Sequence, residues 1–157
     1  MIAYTTEVGI IFLKFEDQKN IEKEVNKIEK TFTTIERNSD YKHLILLEQE
    51  LEKYFLRDIQ KFSVPLDLQG TEFQIKVWSE LLNTQYGTTI SYKQQSVNID
   101  SPQSVRAVAN ANGANKILIV VPCHRVIGTN GKLAGYSGEV WRKKELLELE
   151  QGVKKLL

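Results

Sequence analysis

The chain has 157 residues, with 21 Lys and Arg against 20 Asp and Glu and a formal net charge of +1. The neutral total excludes a uniformly basic nucleic-acid binder, and an apolar fraction of 41% is enough for a packed core. The single cysteine, Cys123, excludes an intramolecular disulfide framework and zinc sites built on three or four thiolates.

The elements in chain order begin with a strand over residues 10–15, rich in β-formers and preceded by Gly9, with Tyr4 on a partner strand. Ile21, Val25, Ile28, Phe32 and Ile35 recur at helical spacing. Leu44, Leu47, Leu51, Tyr54 and Phe55 predict a second helix, and Pro65 closes an extended stretch. Thr71 to Gln74 is a capping box that opens a helix with Phe73, Val77, Trp78, Leu81 and Leu82 on its apolar side and Gly87 as its stop. Ser91 to Gln94 is a second box that opens a short helix. Ser101-Pro102 predicts the N-cap and first position of the next. Two short helices so close together read as a helix-turn-helix. Residues 117–121 predict an extended segment running into Cys123. Gly128 to Gly131 is a turn, with a return over residues 133–136 that suits a wing. A last helix, about residues 139–151, offers Val140, Trp141, Leu146, Leu147 and Leu149 for packing, with Gly152 as terminator.

Charge is unevenly spread. Residues 1–70 carry −3 and residues 71–157 carry +4, so the second part suits an anionic partner. Residues 117–122 form the longest strongly apolar run, far short of the roughly 18–20 residues of a membrane span. No basic start followed by an apolar stretch marks a signal peptide. The expected location is the cytoplasm, or the nucleus in a eukaryote, where a lone thiol stays reduced.

Pro122-Cys123-His124-Arg125-Val126 is the densest chemical cluster. A cysteine reacts as its thiolate, and a neighbouring base or cation favours that form. On a regular strand, Cys123 and His124 would point to opposite faces. Direct pairing therefore needs a bend at Pro122 or a bridging water. His43, the other histidine, falls on a predicted helix in the acidic part, which disfavours a cysteine-protease arrangement.

The stretches 66–74 (LDLQGTEFQ), Lys76-Val77-Trp78, Ser91-Tyr92, Arg106-Ala107-Val108, Pro122 to Val126 and Gly135 to Gly138 appear in order. With them the chain closely resembles the O6-alkylguanine-DNA alkyltransferases, strongly over residues 66–152 and weakly before. The resemblance implies direct reversal of O6-alkylguanine damage, with O4-alkylthymine as a further substrate. The alkyl group passes irreversibly, after base flipping, to a cysteine used once. No metal or cofactor is implied. Two rivals, a non-catalytic damage sensor and a fused transcriptional regulator, are disfavoured: the first lacks the acceptor cysteine and the second needs more cysteines than one.

Carried over by matching position, Cys123 is the acceptor and His124 the base acting through a water. Glu150, 27 residues after the cysteine, orients the histidine, and Asn115 braces the segment. Tyr92 and Ser137 would bind the flipped guanine, the Val126 carbonyl its amine, and Tyr136 would form the pocket wall. Arg106 would fill the gap left in the duplex. Ser104, Val105, Ala107 and Ala111 would pack in the minor groove, with Arg125 also on the DNA side and little sequence preference. Lys116 stands where many members have proline and Leu118 where some have a proline that lines the pocket, Glu139 where a second glycine is usual, and Gln95-Ser96 where Leu-Ala is common. The implied fold is an α/β, ribonuclease H-like layer over residues 1–65 and a mainly α, winged helix-turn-helix domain over residues 66–157, acting as a monomer.

Overall fold

The computed structural model describes residues 1–32 and 40–153. Among them are six α-helices and a few short strands, a mixed α/β architecture. Strands β1 (Ile2–Thr5) and β2 (Ile10–Lys14) form an antiparallel hairpin that pairs Tyr4 with Phe12. All five residues of β2 are buried. Its second edge is covered by bridges from Ile10 to Leu66 and from Leu13 to Ile117, so backbone from beyond residue 65 completes the sheet.

Helix α1 (Ile21–Thr31) buries none of its residues fully, so its apolar stripe is only half covered. The expected position Ile35 lies outside the described residues. Helix α2 (Lys42–Leu56) buries His43, Leu47, Glu50 and Tyr54 on one stripe, as period 3.6 requires. The Glu50 carboxylate accepts the Ser63 and Val64 amides, which holds the chain leading to Pro65.

Helix α3 (Glu72–Leu81) starts at the Thr71 capping box, with both reciprocal bonds present. It ends well before Gly87, which serves a later turn. Helix α4 (Tyr92–Asn98) is capped by Ser91 alone, because Gln94 turns its side chain forward to Asn98 instead. Helix α5 (Val105–Gly113) begins three residues later than Pro102 predicts. The Ser101 carbonyl accepts the Ser104 amide, so Ser101 to Ser104 is a turn. Trp78 Nε1 donates to the Ala111 carbonyl at 2.8 Å, and Gln95 and Asn112 exchange side-chain amide bonds, which locks α3, α4 and α5 together.

The expected extended run 117–121 is instead a set of tight turns. Val120 bonds back to Leu118 and Val121 to Ile117, with Ile119 at φ +72°. The cause is Asn115, whose side chain accepts the Ile117 amide and donates to the Val121 carbonyl. A 3₁₀ turn, Cys123–Arg125, leads into β4 (Val126–Ile127), which pairs in parallel with β3 (Ile90–Ser91). Residues 133–136 form no returning strand; the turn is closed by Gly128 and Lys132 backbone atoms. Helix α6 (Val140–Glu150) buries Leu146, Leu147 and Leu149, but Val140 and Trp141 are 43% and 59% exposed, because the face that meets the core starts at Lys143. The core is continuous, joining Ile10, Leu13, Leu47 and Tyr54 to Trp78, Leu118 and Leu149. No described helix is long and apolar enough to cross a membrane.

Candidate active site around Cys123

The Cys123–Arg125 turn decides the site's geometry. Three residues per 3₁₀ turn separate neighbouring side chains by about 120°, so the opposite-face problem of a strand does not arise. Cys123 opens on a cleft of about 230 Å³. Helix α5 supplies one wall with Ala109, Asn110, Asn112 and Gly113. Tyr92 and residues Ala134, Gly135 and Tyr136 supply the other. Asn115 Nδ2 lies 3.1 Å from Cys123 Sγ. Burial pushes the thiol up from its ordinary value; the Asn115 hydrogen bond and the Lys143 charge oppose that rise.

His124 is fully buried and its Nε2 lies 2.8 Å from Glu150 Oε1. Burial raises the Glu150 carboxyl, but hydrogen bonds and charges from His124 and Arg125 outweigh it and hold the group at about 2. A carboxylate only accepts, so Nε2 carries the hydrogen and Nδ1 is the basic nitrogen. Burial also lowers His124 from its ordinary value, against the pull of Glu150, so the imidazole is neutral at pH 7. Nδ1, the Tyr136 hydroxyl and the Ser137 hydroxyl are buried without a hydrogen-bond partner among the described residues. Buried polar atoms are rarely left so; Tyr136 lines the cleft with Cys123, and His124 and Ser137 are the chain neighbours of these two, which points to a polar ligand.

The remaining expected residues separate into two groups. Tyr92 lines the cleft, and its hydroxyl donates to the Ala134 carbonyl at 3.0 Å. The Val126 carbonyl accepts the Lys143 ammonium at 2.6 Å, leaving one lone pair. Arg106 and Ala107 are exposed on the first turn of α5, and Ser104 and Val105 are half-buried beside them. Ala111 and Arg125 do not belong to that surface. Ala111 is buried against Trp78. Arg125 is buried too, its guanidinium donating to both Glu150 oxygens and the Thr84 carbonyl, so its charge neutralises Glu150 instead of meeting DNA.

Lys143 had no sequence signal, since Arg142-Lys143-Lys144-Glu145 reads as a solvated face. Its ammonium is buried and ties the Val126, Ala134 and Gly135 carbonyls together, and burial lowers it to about 8. Lys116 donates to the Gln69 carbonyl, away from the cleft. Leu118 is fully buried and is not among the residues lining the cleft.

The family described as 6-O-methylguanine DNA methyltransferase, DNA binding domain, matches residues 72–152, more than half of the chain. The chain belongs to the 6-O-methylguanine DNA methyltransferase family. A methylated-DNA–protein-cysteine methyltransferase of Methanosarcina acetivorans is 38% identical over 151 residues, covering 94% of this chain and 95% of the relative. Its counterpart in Mycobacterium tuberculosis is 52% identical over 102 residues, 65% of this chain and 62% of that relative. The matched stretch thus spans less than two thirds of the mycobacterial relatives' length. Among solved structures, M. tuberculosis OGT in complex with DNA superposes with a TM-score of 0.79 at 35% identity, covering 98% of this chain and 88% of that one. Every cleft-lining residue named above falls within the region matched to the methyltransferase family.

Proposed function

We propose that the protein reverses O6-alkylguanine damage in double-stranded DNA by moving the alkyl group to Sγ of Cys123, once per molecule. The observation that carries this reading is a buried thiol opening on a cleft, followed in the chain by a neutral histidine whose free Nδ1 is backed by the Glu150 anion. The thiol proton passes to Nδ1 directly or through one water. The thiolate attacks the alkyl carbon opposite its bond to O6. The S–C bond forms as the C–O bond breaks, and the electron pair leaves with guanine, which takes up one proton. Tyr92 and Ser137 hydrogen-bond the departing base, and the remaining lone pair of Val126 accepts its amine. The exchange balances without a cofactor. The thioether is stable, so one lesion consumes one protein, and O4-alkylthymine offers the same kind of bond.

The DNA-facing part of the reading rests on α4 and α5 as a helix-turn-helix, with the turn at Gly128 to Gly131 as its wing. This assigns DNA binding and chemistry to residues 66–157 and a bracing ribonuclease H-like layer to residues 1–65. Helix α5 enters the minor groove of a flipped-out lesion and Arg106 fills the gap, with a single chain acting as a monomer. The exposure of Arg106 supports this, as does the lining of the cleft by Ala109, Asn110 and Gly113, which share its face of the helix at three, four and seven residues on. The likeness to M. tuberculosis OGT, a protein solved in complex with DNA, supports it further. The test is a titration of O6-methylguanine duplex with protein. Loss of one lesion per protein is expected, and turnover of many or none refutes the reading. Arg106→Ala should slow repair of the duplex far more than reaction with free O6-benzylguanine, because extrusion costs a few kcal/mol only in a duplex. Equal losses would refute the role of Arg106.

A further inference from the structure

The donors that converge on Glu150 come from both parts of the chain. Oε1 accepts from His124 Nε2 at 2.8 Å, from Arg125 Nη2 at 2.9 Å and from the Tyr54 hydroxyl at 2.7 Å. Oε2 accepts from Arg125 Nε at 2.9 Å and from the Gly87 amide at 3.1 Å. Tyr54 sits on α2, 96 residues before Glu150, and is fully buried. Its ring packs against Phe55, Phe62 and Tyr86, which aims the hydroxyl at the carboxylate.

Tyr54 and His124 share one oxygen. A second donor on a carboxylate oxygen draws negative charge toward itself and makes that oxygen a weaker partner for the first. Inside a protein the effect is larger than in water, because the surroundings screen less. The protonated form of His124 depends on the charge that this oxygen presents. The phenol also helps fix the carboxylate whose oxygen holds the imidazole, so it bears on both the strength and the direction of the His124 contact.

We propose that Tyr54 is a positioning residue of the alkyl-acceptor site, setting the basicity and orientation of His124 through the oxygen of Glu150 that they share. This rests on the reading of His124 as the base for Cys123, and it gives the first 65 residues a part in the chemistry. Other groups face the pair. Arg125 neutralises Glu150 from the same turn as His124, and Lys143 faces His124 from α6. Tyr86 and Tyr136 face the carboxylate from the loops before β3 and α6, and Arg57 at the end of α2 faces Tyr86. Tyr54→Phe leaves all of these in place and keeps the ring packing, removing one hydroxyl.

The test is an imidazole ¹⁵N titration of the whole protein by NMR. The chain has two histidines, His43 and His124, and Glu150→Gln identifies the second by displacing its resonance. In Tyr54→Phe the carboxylate oxygen serves fewer donors, so the His124 midpoint should rise, by on the order of one unit. The acidic limb of transfer from O6-benzylguanine should rise with it, costing about tenfold in rate on that limb and little on the plateau. Tyr54→3,5-difluorotyrosine keeps the ring and makes the hydroxyl a stronger donor, so the midpoint should fall. In the Glu150→Gln background neither change should move it. Unchanged midpoints in both variants, with only a lower melting temperature, overturn the proposal and leave Tyr54 as packing. If Tyr54→Phe does not fold, the fluorinated variant decides by the sign of its shift. Wild-type protein that fails to accept an alkyl group refutes the repair reading instead, and the titration still reports on Tyr54.

Discussion

Asn115 and Cys123 are joined side chain to side chain, with the Asn115 amide 3.1 Å from the sulfur. The same amide donates to the Val121 carbonyl, and its oxygen accepts the Ile117 amide. One residue thus folds the segment that delivers the cysteine and puts an N–H on the sulfur, which favours the thiolate. Asn115→Ala leaves the buried Ile117 amide unpaired and takes one of two donors from the Val121 carbonyl, which keeps the Cys123 amide, and should cost about 2 kcal/mol in denaturant unfolding. It should also raise the pH at which Cys123 reacts with O6-benzylguanine. Unchanged reactivity at unchanged stability would show that the amide does neither job.

The site is at rest with a neutral thiol and a neutral imidazole. Burial lowers His124 below its ordinary 6.5, and transfer needs the unprotonated ring, so activity should be lost as pH falls through a value below 6.5. Burial raises Cys123 above its ordinary 9.0, so thiolate formed without a base appears only above pH 9. His124→Gln should reduce the plateau between these limits by about 10²–10⁴-fold and leave a rate that climbs toward high pH. The pH–rate profile on methylated duplex checks both. An acid limb centred above pH 6.5, or an intact plateau in the variant, would contradict the assignment.

Lys143 is a structural cation under the cleft wall. It titrates at about 8 when folded, against an ordinary 10.5. The unfolded chain therefore binds more protons between those values, and stability should rise with pH across that window. Lys143→Met should abolish the rise, because the side chain no longer titrates. It should also slow transfer by releasing the Val126, Ala134 and Gly135 carbonyls. Unfolding measured from pH 7.5 to 10.5 in both proteins checks the sign, and identical slopes would contradict it.

Short-range signals in the sequence held at α3 and α2 but not at Ser101-Pro102, where a turn stands in place of the expected helix start. Thr71 caps α3 with Gln74, three residues away, and the α2 stripe needs only helical periodicity. Cys123 and His124 were legible from their motif, and Glu150 and Asn115 through the resemblance. What stayed hidden depends on distant partners. The apolar run 117–121 satisfies every local rule for a strand, yet Asn115 turns it back on itself. Arg125 reads as a free cation until Glu150 and Thr84 enclose it. Ala111 looks like a groove residue until Trp78 covers it. Lys143 and Tyr54 carry no local mark, since their partners lie up to 96 residues away.

Glu139 occupies the N-cap position of α6 at φ +76°, ψ +138°, a conformation that favours glycine. Its side chain makes no cap hydrogen bond in return. Glu139→Gly removes the strain but loosens the unfolded chain, for a net gain of about 1 kcal/mol. Thermal unfolding checks it, and a lower melting temperature would show that the glutamate repays its strain elsewhere.

The central claim is that Cys123 is consumed as the alkyl acceptor. The most direct measurement is the intact mass of the protein after incubation with duplex DNA carrying O6-methylguanine, followed by peptide mapping. The account predicts a gain of one CH₂ per molecule, carried on Cys123 and absent in Cys123→Ala. Unmodified protein after prolonged incubation with the lesion still in the DNA, or a methyl group on any other residue, would contradict it.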